Sequence, residues 1–422
     1  MMKNINFFFE KNILKNIYIF LPIALITGPF LPDLCVIIIS LYFIFNINNF
    51  KSDQIFSKKF YWVFIFFYLA ICISSLASDY STYSLKPSIT YLRFGLFAIG
   101  TYFLISKNIE IILKLSKVFL LILLVLFIDS VFQFLFGYNL IGLAHDHKFR
   151  ITSFFGKDEI LGSYIARLFP FMISLLIFSI EKFNLKISSI TFVFIFFAAS
   201  LITLLSGERT SLALLILSII LMFFTCNKIR KFFFSILIII TVSLISITFA
   251  SEKIKKRMFD QTINQLGLTS ESERLVIFSK TYEGHYILAL KMFKQKPILG
   301  HGPKTFRKFC SEPENYINEV ACTTHPHNVL MQLLAETGLI GSLFYISIFF
   351  YITLKLLKIA IKNIFYKNND QKDYLTLIYI FYFINLFPIA PSGNFFNNWL
   401  SSIYYLPLGY MLFLLNYKKK TK

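Results

Sequence analysis

The sequence predicts an all-helical protein that crosses a membrane many times. Of its 422 residues, 56% are hydrophobic and 18% aromatic, while only 15% are charged. A soluble domain carries roughly 25% charged residues, and a chain of this size has no single core that could enclose so many apolar side chains. The apolar residues also fall into about twelve separate segments of about 20 residues, the length that spans a bilayer.

The predicted spans follow one another closely, apart from one long interruption late in the chain. They lie near residues 13–28, 32–48, 60–77, 87–106, 113–136, 159–180, 187–206, 210–225, 231–250, 328–357, 373–390 and 397–416. The basic N-terminus leads into an apolar run without a small-residue cleavage site, which indicates a retained first span rather than a signal peptide. We therefore expect transmembrane helices 1–9 in residues 1–250, a large loop at 251–327, and helices 10–12 in residues 328–422.

The distribution of basic residues predicts the orientation. Lysine and arginine cluster in every second connection, whereas the intervening turns at 28–32, 78–86 and 390–396 are short and poorly charged. By the positive-inside rule both termini are cytoplasmic. The same clustering between apolar runs argues against nucleic-acid binding as the reason for the net charge of +20. The 138–158 and 251–327 loops then lie outside, and apolar residues at helical spacing near 273–295 predict a helix on the membrane surface.

The densest polar cluster lies where the large loop re-enters the membrane, in the sequence TTHPHN at 323–328. Proline is tolerated in a first helical turn, so His327 and Asn328 are expected at a helix N-terminus. That position lowers the pKa of a histidine and leaves it able to accept a proton. Two alternatives remain: histidines that only make surface hydrogen bonds, and a zinc site that includes His325, although the HPH spacing directs the two rings apart.

Three arginines on the same predicted face form a second group. Arg209 lies in the turn SGERT, Arg274 opens the predicted surface helix, and Arg150 lies in the 138–158 loop. Arginine binds phosphate through a two-pronged hydrogen-bonding fork, so several arginines facing one cavity would suit a diphosphate. The alternatives are arginines that reach the lipid interface, or salt bridges to Glu208, Glu271 or Glu273.

Ionisable residues also occur within the apolar segments, where a charge is costly and therefore suggests function. These are Arg93, Asp129 and Arg167, and a pair between Arg93 and Asp129 is one possibility. His301, in the glycine-rich turn LGHGP, is a weaker candidate for a supporting role, as are Asn328 and Glu336 beside the histidine cluster.

Two cysteines flank the acidic stretch that precedes the histidines. Cys310 and Cys322 lie on the predicted outer face, where the compartment is oxidising, so a disulfide is expected there rather than two free thiols. Closing a loop of this length would contribute roughly 3 kcal/mol and would hold the histidines in place.

The segment from SGERTSLALL through LALKMFKQKPILGHGPKTFRKFC to CTTHPHNVLMQLLAETGLIGSL resembles the O-antigen ligase and polymerase family. The similarity covers roughly residues 200–345. It implies a C-type glycosyltransferase fold with its active site at the periplasmic face of a bacterial inner membrane. It also implies that Arg209 and Arg274 bind a lipid diphosphate and that His327, which directly precedes the asparagine, is the catalytic base, with His325 as the less suitable match.

The chemistry expected at such a site follows from its location. Nucleotide sugars are not available outside the inner membrane, so the donor would be an undecaprenyl-diphosphate-linked glycan. No DxD motif is present, so arginine rather than a metal ion would meet the diphosphate charge, and no cofactor is expected. The acceptor would be lipid A–core in a ligase or another lipid-linked glycan in a polymerase. A protein O-glycosylation transferase, a secondary transporter and a structural scaffold remain as further alternatives.

Overall fold

The computed structural model describes residues 2–47, 59–144, 150–265, 279–365 and 372–420. Within these ranges the chain is helical and has no strand, apart from a single bridge between Tyr138 and Ala144. The main helices are α1 (Met2–Ala24), α2 (Phe30–Phe45), α3 (Lys59–Leu76), α4 (Ser81–Thr90), α5 (Leu92–Lys107), α6 (Glu110–Phe136), α7 (Leu161–Phe183), α8 (Ser189–Leu205), α9 (Arg209–Thr225), α10 (Phe233–Ala250), α11 (Lys280–Gln295), α12 (Val329–Phe365), α13 (Asp373–Asn385), α14 (Asn398–Tyr405) and α15 (Leu408–Lys420).

Several of these helices have the length and composition of membrane spans. In the described part of the chain, four are long and apolar enough to cross a bilayer, namely those at Ser81–Lys107, Glu110–Phe136, Leu161–Phe183 and Val329–Phe365. Shorter apolar helices, such as α2 and α9, accompany them. A polytopic membrane protein is the architecture that accounts for such a set, because each helix satisfies its own backbone hydrogen bonds. The number of crossings stays a prediction.

Helix α7 occupies the centre of the bundle. It packs against α6, α8, α9 and α13, and its side chains are buried on every face. A helix that is apolar all round is expected at such a place. Arg167 is a charged residue buried within α7, with only 5% of its surface exposed, and its partners belong to the candidate site described below.

Helix α12 is broken at Gly338, whose φ of 60° and ψ of −159° lie outside the helical region. The backbone groups released by this break bond to the segment that follows α11: Leu339 N–H donates to the carbonyl of Pro297 at 2.8 Å, and Gly302 N–H donates to that of Glu336 at 2.7 Å. A Cβ on Gly338 would lie 2.4 Å from the Ile298 carbonyl oxygen, so only glycine fits. The break thereby attaches the loop segment to the bundle.

The predicted surface helix lies against the bundle. The structure has a helix at Lys280–Gln295, and α11 packs along α12. Ser279 caps it by accepting a hydrogen bond from the backbone of Tyr282. Residues 273–278 of the predicted helix lie outside the described residues.

The possible pair between Arg93 and Asp129 is not formed. Arg93 Nε donates to Asp33 Oδ1 at 2.8 Å, and Asp129 accepts from Leu140 N–H at 2.7 Å and from the Ser153 hydroxyl. Both groups therefore hold neighbouring segments together instead of pairing with each other.

Candidate functional site

A cavity of about 1370 Å³ opens at the end of the bundle where α7, α9 and α12 begin. Its walls come from separate parts of the chain: the turn at 28–29, residues within 150–167 and 208–214, Arg257 and Thr262, residues within 279–285, His327, and residues within 389–400. Among the described residues, five cationic side chains line it: Arg150, Lys157, Arg167, Arg209 and Arg257. Three acidic side chains accompany them: Asp158, Glu159 and Glu208. The cavity therefore has an excess of positive charge.

His327 is the predicted base, and it lines this cavity. It lies one residue before the asparagine that caps α12, and its backbone is left-handed, with φ of 52°. Histidine is among the few side chains found repeatedly in this region, although the conformation is still costly. The Ser392 N–H fixes it by donating to the His327 carbonyl at 2.9 Å. The loop before α14 therefore helps to set the position of His327.

Two further imidazoles surround His327. The ring centroid of His325 lies 4.1 Å from that of His327. The ring of His285, from α11, stacks on the ring of His327 with the centroids 5.3 Å apart. Burial, together with the neighbouring His285, lowers the pKa of His327 to about 4. Since like charges so close together cannot all form, His327 is neutral at pH 7 and can accept a proton.

The three histidines differ in their access to the cavity. His285 lines it together with His327, whereas His325 is 8% exposed and is not among the lining residues. The His325 Nδ1 is engaged by the Thr324 hydroxyl at 2.7 Å. Of the two histidines in the HPH sequence, the structure thus brings His327 to the cavity and places His325 behind it.

Three arginines converge on another part of the cavity. Arg209 Nη1 donates to the Thr262 hydroxyl at 2.9 Å, and Arg257 Nη1 donates to Gln261 Oε1 at 2.7 Å. Arg150 forms an ion pair with Glu159. Burial lowers the pKa of Arg257, and the positive charges of Arg150 and Arg209 lower it further. The three guanidinium groups therefore lie within electrostatic reach of one another. Mutual repulsion of this kind is relieved when an anion binds between the groups.

Glu208, beside Arg209 in the chain, is held by other groups. Its carboxylate accepts hydrogen bonds from Gly162 N–H at 2.7 Å and Ser163 N–H at 3.0 Å, both at the start of α7, and from the Ser211 hydroxyl at 2.9 Å. Burial raises the pKa of Glu208 despite these bonds. A carboxylate at a helix N-terminus satisfies free backbone N–H groups. Glu208 thus secures the turn that carries Arg209.

Arg167 reaches the cavity from the middle of the bundle. It donates to Asn385 Oδ1 and to the Ser392 hydroxyl, each at 3.1 Å. Ser392 in turn holds the His327 carbonyl, so this buried arginine is linked to the candidate base through one residue. Arg167, whose charge within an apolar segment suggests a function from the sequence alone, is therefore part of the site.

A comparison with known protein families finds a match to one segment of the chain. Residues 194–346, a little over a third of the sequence, match the family model described as O-antigen ligase. This segment is similar to the O-antigen ligases. The resemblance read from the sequence motifs is confirmed. No curated protein matches the chain.

The match to the O-antigen ligases supports an activity of the ligase type or of the related polymerases, acting on lipid-linked glycans. It does not separate the two. Arg209, Arg257, His285 and His327 all fall within the matched segment, whereas Arg150 does not.

The residues predicted to support the site act from outside the cavity. Asn328 accepts a hydrogen bond from Met331 N–H at 3.0 Å, as an N-cap, and donates to the Pro388 carbonyl at 2.7 Å. Glu336 is fully buried and accepts from Phe306 N–H and from Gln332 Nε2. His301 is also buried, with Nε2 3.0 Å from the Met292 carbonyl oxygen. All three lie within the matched segment and fix its loops next to the cavity.

Some site residues have no signal in the local sequence. Arg257 lies in a short π-helical turn at Lys256–Asp260, and His285 lies within α11, with no motif around either. Only the fold brings them to the cavity. Arg274, predicted to bind diphosphate, lies outside the described residues. Among those described, no group of three or more His, Cys, Asp or Glu side chains could hold a metal ion.

Cys310 and Cys322 form a disulfide with their Cα atoms 5.2 Å apart. We expect the double variant C310S/C322S to lose roughly 3 kcal/mol of stability, because the unfolded chain regains the freedom of a closed loop. Thermal unfolding of the purified protein with and without a reductant measures this loss. The double variant is the matched control, since its melting temperature should not respond to reductant. Equal melting temperatures for the wild type in both conditions would contradict the expectation.

Proposed function

We propose that the protein transfers a glycan from an undecaprenyl-diphosphate donor to an acceptor hydroxyl, at the periplasmic face of a bacterial inner membrane. The observation that carries the proposal is the joint position of a neutral histidine, His327, and three arginines, Arg150, Arg209 and Arg257, around one cavity. The family match supports it independently. Both termini are proposed to be cytoplasmic.

The reaction is proposed as a single displacement with inversion at the anomeric carbon. His327 takes the proton of the acceptor hydroxyl, and the oxygen forms a bond to the anomeric carbon. The bond from that carbon to the diphosphate oxygen breaks, and its electron pair leaves with the diphosphate. The arginines stabilise the charge that develops on this leaving group. Arg274 is proposed to join them. The chain's own side chains then supply every group that the step requires.

We propose lipid A–core as the acceptor, which makes the protein a ligase. The alternative acceptor is a second lipid-linked glycan, which would make it a polymerase. Purified protein in detergent, given an undecaprenyl-diphosphate-linked repeat unit with and without lipid A–core, tests the proposal. Transfer that requires lipid A–core establishes a ligase, and a ladder of longer lipid-linked glycans without it establishes a polymerase. Donor binding without any product would favour a transporter.

The pH dependence of transfer should reflect His327. Burial and His285 lower its pKa to about 4, so the base is neutral above that value and becomes protonated below it. We expect kcat/KM, which reports groups of the free enzyme, to be constant from pH 7 to below 6 and to fall only at lower pH. The diphosphate diester of the donor does not titrate in this interval. A fall centred near the ordinary histidine value of about 6.5 would contradict this assignment.

A further inference from the structure

One side of the cavity carries no charge. The sequence from Pro391 to Leu400 reads PSGNFFNNWL, and it supplies Pro391, Ser392, Gly393, Asn394, Asn397, Trp399 and Leu400 to the lining. We call residues 391–400 the neutral wall. The cationic residues come from other parts of the chain, and one of them, Arg167 of α7, donates a hydrogen bond to Ser392 of the neutral wall. The neutral wall therefore suits a part of the substrate other than the diphosphate.

Buried polar groups hold the first half of the neutral wall. Ser392 is joined to Arg167 by its hydroxyl and to the His327 carbonyl by its N–H. Asn394 Oδ1 accepts from Gln332 Nε2 at 3.0 Å, and Gln332 Oε1 accepts from Phe395 N–H at 2.8 Å. These bonds place the neutral wall directly beside the candidate base.

A second set of bonds holds the other half. Asn398 donates to Asp33 Oδ2 at 3.0 Å and accepts from Arg93 Nη2 at 2.9 Å. The indole Nε1 of Trp399 donates to the Leu25 carbonyl at 2.8 Å. Hydrogen bonds to Arg167, His327, Gln332, Asp33, Arg93 and Leu25 thus fix a segment of ten residues, which is the arrangement expected of a surface held ready for a ligand.

Hydrogen bonds in the neutral wall use the side-chain oxygens of Asn394 and Asn397 rather than their amide nitrogens. Asn394 Oδ1 accepts from Gln332 and from Phe396 N–H, and Asn397 Oδ1 accepts from Trp399 N–H at 3.0 Å, which caps α14. Among the described residues, neither Nδ2 donates a hydrogen bond. Each amide therefore offers two N–H donors to the cavity.

Trp399 adds an aromatic face. The only polar atom of its side chain is bound to Leu25, and the partly buried residue lines the cavity, where it contributes an aromatic, apolar surface. A sugar ring combines a face of C–H groups with a rim of hydroxyl or acetamido oxygens. The C–H face packs on an aromatic ring, and the oxygens accept hydrogen bonds from amides. We propose that the neutral wall is a carbohydrate-binding subsite, in which Trp399 supports a sugar ring and Asn394 and Asn397 bind its oxygens.

This inference rests on the proposed function, and it concerns either the donor's sugar or the acceptor's. The test compares the affinity of the whole protein for undecaprenyl diphosphate with its affinity for the same lipid carrying the repeat-unit glycan. Asn397→Ser keeps an oxygen to cap α14 but removes the amide donors. Trp399→Ala removes the ring, and Trp399→Phe keeps an aromatic face while losing the bond to Leu25.

We expect Trp399→Ala to weaken binding of the glycan-bearing lipid roughly 10-fold and Asn397→Ser roughly 5-fold, with unchanged binding of the bare lipid. Trp399→Phe should retain most of the affinity. This pattern assigns the subsite to the donor. Unchanged affinity for both lipids, with a KM for the acceptor raised by similar factors, assigns it to the acceptor instead.

Two results would overturn the inference while the proposed function stands. One is equal loss of affinity for both lipids, which would show that the variants disturb the structure. The other is wild-type affinity and an unchanged acceptor KM in both Trp399→Ala and Asn397→Ser. If the wild type binds neither lipid and transfers nothing, the proposed function fails first, and the subsite fails with it.

Discussion

Replacing His327 by alanine is expected to lower the rate of glycan transfer by roughly 10² to 10⁴, the usual contribution of a general base. The affinity for the donor should change little, because the arginines proposed to bind the diphosphate belong to other segments. Residual activity should remain, since the bound substrates are still held together. Single-turnover transfer and direct donor binding, measured on the same preparation, separate the two effects.

Two further variants serve as controls for His327→Ala. His327→Asn tolerates the left-handed backbone that the structure requires at this position, so any loss it shares with alanine comes from the missing imidazole. His325→Ala removes the adjacent ring that does not line the cavity, and it should cost far less. Full activity in His327→Ala would contradict the mechanism, whereas an equal loss in His325→Ala with donor binding intact would transfer the role to His325.

Replacing Arg209 by glutamine is expected to lower kcat/KM for the donor by roughly 10² to 10³, the effect of removing one group that stabilises the leaving charge. Arg209 lines the cavity beside Arg257 and Arg150. Arg209→Lys should recover part of the activity, because lysine keeps the charge but not the two-pronged fork. Transfer kinetics at several donor concentrations measure both.

Arg230→Gln is the matched control for Arg209→Gln. Arg230 makes hydrogen bonds to the carbonyl oxygens of Phe223 and Phe224 near the other end of α9 and does not line the cavity. The same loss of charge there should leave donor affinity unchanged. If both variants weaken the donor equally, the effect is one of overall charge, and Arg209 is not a specific ligand of the diphosphate.

The sequence carried enough information to place helices and the principal polar groups. Apolar segments of bilayer length mark helices wherever they occur, and an HPHN cluster at a helix start is visible without a structure. Arg150 and Arg209 were selected because they occupy polar segments on one predicted face. Both line the same cavity as His327.

What could not be predicted depends on contacts between distant parts of the chain. Arg93 pairs with Asp33, 60 residues away, and no local pattern indicates that choice over Asp129. His285 and Arg257 look like ordinary residues of helical segments until the fold brings them to the cavity. The turn at 390–396 was notable only for its lack of charge, and its role appears only once its hydrogen bonds to Arg167, Gln332 and His327 are known.

The arrangement of the cavity walls has a consequence for work with fragments. The segment that matches the O-antigen ligases ends at residue 346, yet the Ser392 N–H that holds the His327 carbonyl and the whole neutral wall follow it, and Arg150 and Arg167 precede it. A protein cut to the boundaries of the matched segment would lack more than half of the residues that line the cavity. The smallest unit that can be inherited, exchanged or engineered as a working site is therefore nearly the entire chain.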